Sequence, residues 1–182
     1  YSIINFDQLE FKEGLNITSE VGDIYSLEQA KNKEKLQKKL DKFAFSDLNQ
    51  ISSNKFFAKN ALNYTDSYFL HVTEDTKLNE FQLLKITQRV KNSLGYLFIF
   101  VEPNCEVKFI EKTDTSNYLS LIVDLVVAEN SSFEYVISQQ NESYTLTSRQ
   151  SFIQRDANIT WFDFNFGSKK VKSSISNQLL GQ

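Results

Sequence analysis

The sequence predicts a mainly β protein: a right-handed parallel β-helix of about 26 residues per coil, with a small N-terminal helical, α+β region. Apolar residues recur at this interval through three consecutive units, as in the column of Phe109, Tyr135 and Trp161. A polar Asn or Asp recurs in step with them, between the apolar blocks. Beyond residue 63, aromatic and β-branched residues become dense while Gly is rare, which is typical of strands.

Residues 1–63 are predicted to form an α/β capping region. Its first part suggests short extended pieces around a turn at Gly14. Ser26 and Gln29 then fit a capping box, in which each side chain bonds the backbone N–H of the other residue. This pair predicts that a helix begins at Ser26.

Apolar residues at helical spacing predict two amphipathic helices in this region. The first carries three such residues on one face: Leu36, Leu40 and Phe43. The second covers residues 54–62 and places three on one face: Phe57, Ala61 and Leu62. The other face of the first helix is basic, with six lysines: Lys31, Lys33, Lys35, Lys38, Lys39 and Lys42. We interpret this face as solvated; a basic helix that binds a membrane or an acidic partner is the alternative.

Residues 64–182 are predicted to form the β-helix core. Five apolar columns hold over three units: 100/126/152, 101/127/153, 107/133/159, 109/135/161 and 110/136/162. The corners between strands fall at Asn104, Asn130 and Asp156, because Asn and Asp tolerate the left-handed backbone of tight turns. An antiparallel sandwich with evenly spaced strands is the alternative. Since the chain begins with Tyr1 and contains no Met, we expect a fragment whose β-helix continues beyond residue 182.

The single cysteine, Cys105, stands beside the first of these corners. Its counterparts in the next two units are Ser131 and Ala157, so the column holds small residues. The neighbouring Glu102 and Glu106 would oppose formation of a thiolate. We therefore interpret Cys105 as a space-filling residue; a sulfur-handling thiol is the alternative.

The sequence predicts no catalytic residue and no metal site, and it leaves any cofactor-binding residue unknown. A protein-bound iron–sulfur cluster usually needs four Cys, or Cys together with His. The chain has one Cys and one His, His71, which lies in a predicted strand between Leu70 and Val72. We interpret His71 as a structural or surface histidine, while a cluster site shared at a subunit interface stays open.

Composition excludes other classes of partner. The net charge of −3 provides no electrostatic case for nucleic acid. No apolar run reaches the roughly 18–20 residues that a membrane span needs. Five N-glycosylation sequons begin at Asn16, Asn63, Asn130, Asn141 and Asn158, and we interpret them as chance triplets in an Asn-rich chain.

The segment from Asn54 to Val72 resembles the leading segment of the SufB/SufD proteins, the scaffold subunits of the SUF iron–sulfur cluster assembly system. Residues 129–135, residues 148–161 and the closing Leu179-Leu180-Gly181-Gln182 resemble coils of the same family. The resemblance covers about residues 20–182. It departs at Ser67, where the family has Gly, and at residues 73–75, where the family has Pro-Lys-Gly.

This resemblance implies a non-catalytic scaffold subunit rather than an enzyme. Its partner would be a SufB-like β-helix subunit or a second copy. A SufC-like ABC-type ATPase would bind through a region that follows Gln182. No cysteine occurs from Arg149 to Trp161, where SufB-type chains carry one, so the chain looks more SufD-like. The resemblance implies no cofactor in this chain alone, a transient cluster at a subunit interface, and a location in the cytoplasm or the stroma of a plastid-type organelle.

Two other functions fit a β-helix. A polysaccharide lyase or hydrolase would need paired acids, and one column holds Glu111, Ile137 and Asp163. Its two acids would lie two coils apart, about 10 Å, a separation that an inverting glycosidase can use. A surface adhesin is the other possibility, for which the sequons would be the indication.

Overall fold

The computed structural model describes residues 9–44, 55–115, 118–141, 144–167 and 169–181. The helices in these ranges are α1 (Leu27–Lys31), α2 (Glu34–Phe43) and α3 (Lys55–Asn63). The strands are β1 (Leu15–Ser19), β2 (Asp23–Ser26), β3 (Asp66–Val72), β4 (Lys77–Gln88), β5 (Asn92–Val101), β6 (Glu106–Thr115), β7 (Tyr118–Val127), β8 (Ser132–Asn141), β9 (Tyr144–Ile153), β10 (Asn158–Phe166) and β11 (Lys170–Leu179).

The strands form two sheets that enclose an apolar lumen. Sheet A has the order β1-β4-β6-β8-β10, and sheet B has the order β11-β9-β7-β5-β3-β2. From β3 onward, neighbours within each sheet are parallel, and the chain alternates between the sheets. The molecule is therefore a parallel β-solenoid of about four turns with about 26 residues per coil, as the sequence predicts.

The predicted columns are confirmed by the register of sheet A. Phe109 pairs with Tyr135, and Tyr135 pairs with Trp161. The rings of Tyr135 and Trp161 stack with centroids 5.0 Å apart, while Phe109 meets Tyr135 edge-on at 6.4 Å. The predicted antiparallel sandwich alternative is wrong, because these strands run parallel.

The predicted corners adopt the left-handed backbone. Asn104, Asn130 and Asp156 have φ values of 59°, 58° and 56°. Asp75 has a φ of 62° and forms an additional corner, which sequence analysis missed. The first coil is longer than the others: Val72 pairs with Val101, and a bulge interrupts β4 between Lys77 and Phe81. A search at 26-residue steps therefore does not reach Asp75.

The capping box is confirmed at the start of α1. Gln29 N donates to Ser26 Oγ at 3.1 Å, and Ser26 N donates to Gln29 Oε1 at 2.9 Å. The helix that begins here ends at Lys31, and α2 begins at Glu34 after an extended Lys33 (φ −108°, ψ 109°). Both helices still bury their apolar faces in one cluster, which includes Leu27, Ala30, Leu36, Leu40 and Phe43.

The predicted apolar face of α3 is partly wrong. Phe57 is buried, but Leu62 is 82% exposed. Asn60 on the same helix is fully buried, and its Nδ2 donates to Gly95 O, Ser120 O and Ser120 Oγ. The helix thus docks on sheet B through an amide that donates to backbone carbonyls, in addition to apolar contact.

The N-terminal segments flank the solenoid and extend both sheets. The helices pack on the outer face of sheet B, where Phe43 lies against Phe100 and Phe152 at 6.1 and 5.9 Å. At the first end, β1 pairs antiparallel with β4, and β2 pairs antiparallel with β3. No helix of the described chain is both long and apolar enough to cross a membrane.

Candidate functional site

Cys105 lies at a corner of the solenoid, fully buried. Its backbone N–H donates to Ser131 Oγ at 3.0 Å, which links it to its counterpart in the next coil. Its Sγ lies 3.2 Å from the carbonyl oxygen of Thr73, to which the thiol donates. Burial raises the pKa of the thiol, and the charges of Glu102 and Asp75 raise it further. The geometry favours a protonated, space-filling cysteine.

His71 lies on β3 and forms a cluster with a corner carboxylate and a helix lysine. Its Nε2 lies 2.7 Å from Glu102 Oε1, and Lys39 Nζ of α2 lies 2.8 Å from the same oxygen. Burial raises the pKa of Glu102, but the hydrogen bonds from His71 and Lys39 outweigh it, so the pKa lies below 4.5. The cluster borders a cleft of about 320 Å³ beside Tyr25 and Leu36. Through this cluster His71 helps to join α2 to sheet B, which is the role of a structural histidine.

A second polar cluster lies inside the lumen, and sequence analysis missed it. Glu111 on β6 and Arg149 on β9 reach towards each other from opposite sheets, with Arg149 Nη2 donating to Glu111 Oε1 at 2.6 Å. Tyr135 OH donates to Glu111 Oε2 at 2.7 Å, and Thr113 Oγ1 donates to Glu111 Oε1 at 3.0 Å. Glu111, Tyr135 and Arg149 are each 0% exposed.

The electrostatics of this cluster depend on its complete burial. Burial raises the pKa of Tyr135 well above its ordinary value, and the adjacent Glu111 raises it further. Burial lowers the pKa of Arg149, but the charge of Glu111 outweighs this, so Arg149 stays a cation. A buried charge without a partner is strongly destabilising. Each charge therefore depends on the other, because loss of either one would leave its partner buried without a counter-charge.

Arg149 and its neighbours retain hydrogen-bonding capacity. Nε and Nη1 of Arg149, and both polar side-chain atoms of Gln139, have no hydrogen-bond partner among the described residues. The signal for this cluster was present in the register: Arg149 occupies a column between Val123 and Ile175. A charged residue between two apolar ones in a lumenal column marks a buried ion pair.

The predicted column of Glu111, Ile137 and Asp163 exists, but its two acids are not placed to cleave a polysaccharide. Glu111, Ile137 and Asp163 are in register across β6, β8 and β10, as predicted. Glu111 is enclosed in the lumen, where a polysaccharide has no access. Asp163 accepts hydrogen bonds from Ser173 Oγ at 2.6 Å and Asn165 Nδ2 at 2.8 Å. The two acids therefore do not form one accessible site.

The described parts of the chain do not contain the ligand set of a metal centre. There, no group of three or more His, Cys, Asp and Glu side chains converges as metal ligands would. Cys105 and His71 both lie near the corner that contains Glu102, but the thiol bonds Thr73 while the imidazole bonds Glu102.

Known proteins resemble this chain in sequence. A family model described as the SufBD core domain of SUF system FeS cluster assembly matches residues 84–182. Iron-sulfur cluster assembly SufBD family proteins of Staphylococcus epidermidis and Staphylococcus haemolyticus are each 24% identical over 147 residues. One from Staphylococcus aureus is 25% identical over 147 residues. Each alignment covers 76% of this chain and 32% of the relative, so the chain spans about a third of the curated relatives' length.

The family match begins within β4 and continues through β11, so it coincides with the stacked coils that define the fold. Since it covers more than half of the sequence, the chain belongs to the SufBD family of the SUF iron–sulfur cluster assembly system.

Proposed function

We propose that the chain is a non-catalytic scaffold subunit of an iron–sulfur cluster assembly complex. The observation that carries the proposal is the SufBD core match over residues 84–182, on a solenoid whose described part brings together no metal-ligand set. In this role the chain contributes to assembly by holding other subunits. The cluster itself would form transiently at an interface.

The partners of this scaffold are a SufB-like β-helix subunit, or a second copy, and a SufC-like ATPase. A SufD-like rather than SufB-like role is supported by the absence of cysteine from Arg149 to Trp161, and by the burial of Cys105. The site of action is the cytoplasm or the stroma of a plastid-type organelle. Residues 1–63 act as the capping region and residues 64–182 as the β-helix core of this scaffold.

Co-purification tests the proposal. The full-length protein, tagged, is co-expressed with candidate SufB-like and SufC-like subunits from the same genome. We expect all three to elute as one complex, and the ATPase to remain bound when Cys105→Ala replaces the wild type. Recovery of the tagged chain alone, under conditions in which the other two subunits associate, would overturn the scaffold assignment.

A further inference from the structure

The outward face of α2 carries three lysines on one side of the helix, which we call the lysine stripe. Lys35, Lys38 and Lys42 follow one another at intervals of three and four residues, and all three are exposed. Lys38 pairs with Glu34 at 2.7 Å, where both side chains are exposed. Among the described residues, neither Lys35 nor Lys42 has a carboxylate partner. The lysine stripe therefore keeps most of its charge available to a partner.

Charge is distributed unevenly along the sequence. Residues 31–42 hold six lysines against Glu34 and Asp41, a net charge of +4, whereas the whole chain carries −3. All other residues together therefore carry −7, with the histidine neutral. The ten residues of α2 span only about 15 Å, so a long polyanion such as nucleic acid would extend onto a molecule that is otherwise negative. The distribution favours a short anionic partner.

The apolar face of α2 is already occupied. Leu36, Leu40 and Phe43 are buried in the cluster that joins the helix to sheet B. A helix that lies on a membrane inserts a face of this kind between the lipids. Because α2 has no such face left, a bilayer would gain charge contacts alone. The arrangement favours carboxylates of a protein segment over a lipid surface.

Aromatic rings hold lysines at both ends of this basic segment. The Nζ atom of Lys33 lies 3.8 Å from the centroid of the Tyr25 ring, and that of Lys42 lies 4.9 Å from the centroid of the Phe43 ring. A lysine that is already held loses less side-chain entropy on binding than a free one does. The segment is thus partly ordered for a partner before one binds.

A cleft of about 320 Å³ adjoins the first turn of α2. Tyr25 and Leu36 contribute apolar surface to it, and Lys33 and Lys35 line it as well. Its volume lies at the lower end of the roughly 300–1,000 Å³ of ligand pockets, so it has room for one large side chain. Since Lys35 belongs to both the cleft and the lysine stripe, the two form one continuous surface.

The two acids that line the cleft are already paired. Glu102 binds Lys39 Nζ at 2.8 Å and His71 Nε2 at 2.7 Å, and Glu34 binds Lys38 Nζ at 2.7 Å. Their charges are therefore largely compensated before a partner arrives, and the lysines without a carboxylate partner set the sign of the cleft.

We propose that α2 and this cleft bind an acidic segment of a partner protein. One aromatic or apolar side chain of the segment occupies the cleft, and its carboxylates bind Lys35, Lys38 and Lys42. These lysines extend over about 10 Å of the helix axis, a distance that three or four extended residues cover. Charge complementarity selects the segment, and the cleft selects the side chain that precedes or follows its acidic run.

Titration calorimetry of the full-length protein with a defined peptide tests the lysine stripe. The probe is a peptide of glutamates with one tryptophan at an end, acetylated and amidated so that its termini carry no charge. The triple variant Lys35→Gln, Lys38→Gln and Lys42→Gln should bind it about tenfold more weakly than the wild type, since each exposed charge pair contributes little and the three contributions add. Added salt should weaken wild-type binding as well.

A matched variant separates this effect from the loss of positive charge in general. It changes three lysines that are equally exposed but lie outside residues 31–42: Lys85→Gln, Lys91→Gln and Lys112→Gln. This control loses the same charge and should bind the peptide within about twofold of the wild type. A wild type that does not bind the peptide, or equal weakening in the two triple variants, would overturn the proposal.

Two changed peptides test the cleft and the charge separately. Alanine in place of the tryptophan should weaken binding by about fivefold or more, because the apolar area buried in the cleft is lost. Glutamine in place of every glutamate should abolish binding. Equal affinity of the tryptophan and alanine peptides, or binding of the glutamine peptide, would contradict the proposed mode of recognition.

Other anionic ligands are tested in parallel. They are vesicles of phosphatidylcholine and phosphatidylserine in equal parts, and a single-stranded oligothymidylate. Neither should bind the wild type more tightly than the glutamate peptide does. Tighter binding of either one that is lost in the lysine-stripe variant would assign α2 to that ligand and overturn the protein-segment proposal.

The docking site on α2 and the scaffold role can fail separately. A chain that co-purifies with SufB-like and SufC-like subunits but does not bind the glutamate peptide would retain the proposed function and lose the proposed site.

Discussion

Cys105 shows how a residue type can suggest chemistry that its surroundings oppose. A reactive thiol needs exposure and a partner that stabilises the thiolate. Cys105 has neither: it is fully buried, its pKa is raised, and its Sγ donates to a carbonyl oxygen. Its column neighbours Ser131 and Ala157 fill the same corner of later coils with small side chains.

Cys105→Ala should leave cluster assembly intact. We expect a loss of about 1 kcal/mol in the free energy of unfolding, because a small buried group is removed from a packed corner. The measurements are urea denaturation and complementation of a strain that lacks the gene. Retained stability with lost complementation would instead assign sulfur handling to this thiol. Native Cys105 should also react far more slowly with iodoacetamide than the unfolded chain does.

Glu111 and Arg149 form the most enclosed ion pair of the described chain, and their energetics differ from those of surface pairs. Two charges in the lumen cost free energy to desolvate, and mutual attraction offsets that cost only while both are present. Arg149→Met should therefore lower the free energy of unfolding by about 3–5 kcal/mol, since it leaves Glu111 buried without its cation. Replacing both, as Arg149→Met with Glu111→Leu, should cost less than the single change.

A double-mutant cycle by urea denaturation measures this coupling. The exposed pair of Arg155 and Glu129 is the matched control, where Arg155→Ala should cost less than about 1 kcal/mol. Additive effects of the two lumenal changes would show that the pair does not act as a unit.

In the described part of the chain, helix α2 is attached to sheet B by an apolar face and by a polar contact. Leu36, Leu40 and Phe43 supply the apolar face. Lys39 supplies the polar contact, through Glu102, which also bonds His71. Because the carboxylate is the form that both partners bind, its pKa lies below the ordinary value of 4.5.

The stability that Glu102 contributes should depend on pH. A carboxyl with a lowered pKa in the folded state stabilises fully above its unfolded pKa and loses this contribution as pH falls through the folded value. Between neutral pH and acid below 4.5, the wild type should thus lose more stability than Glu102→Gln does. Urea midpoints across this range measure the difference. Glu106→Gln is the control, since the Glu106 side chain is 58% exposed. Equal dependence of the urea midpoint on pH for the wild type and Glu102→Gln would contradict the prediction.

Sequence patterns predicted the elements unequally well. The capping box at Ser26 is local in sequence and local in space, so it was predicted correctly. The docking face of α3 was predicted wrongly, because hydrophobicity favours Leu62 over Asn60 as the buried residue. Asn60 is buried because carbonyl oxygens of Gly95 and Ser120 lie where its amide can reach them. Those carbonyls belong to strands far away in the sequence.

The whole molecule depends on its N-terminal region to cover sheet B. Removal of residues 1–63 from the full-length protein should expose Phe69, Tyr96, Phe98 and Ile122, which are now buried. We expect the shortened protein to bind a hydrophobic dye and to aggregate. Leu62→Ser, at a residue already 82% exposed, is the control and should change neither property. If the shortened protein stays monomeric and does not bind the dye, residues 1–63 are not needed to cover sheet B.

The repeat, the corners and the aromatic columns could be predicted from the order of the residues, because parallel in-register stacking makes residues 26 apart into spatial neighbours. Every column of that kind has a period, and a period is visible in a sequence. Glu111 and Arg149 are 38 residues apart and meet across the lumen from opposite sheets. Their contact depends on the width of the lumen and on which strands face each other, and neither quantity has a period along the chain. The same holds for the helices, whose side of the solenoid is set by where sheet B leaves apolar surface to cover and carbonyl oxygens within reach of Asn60.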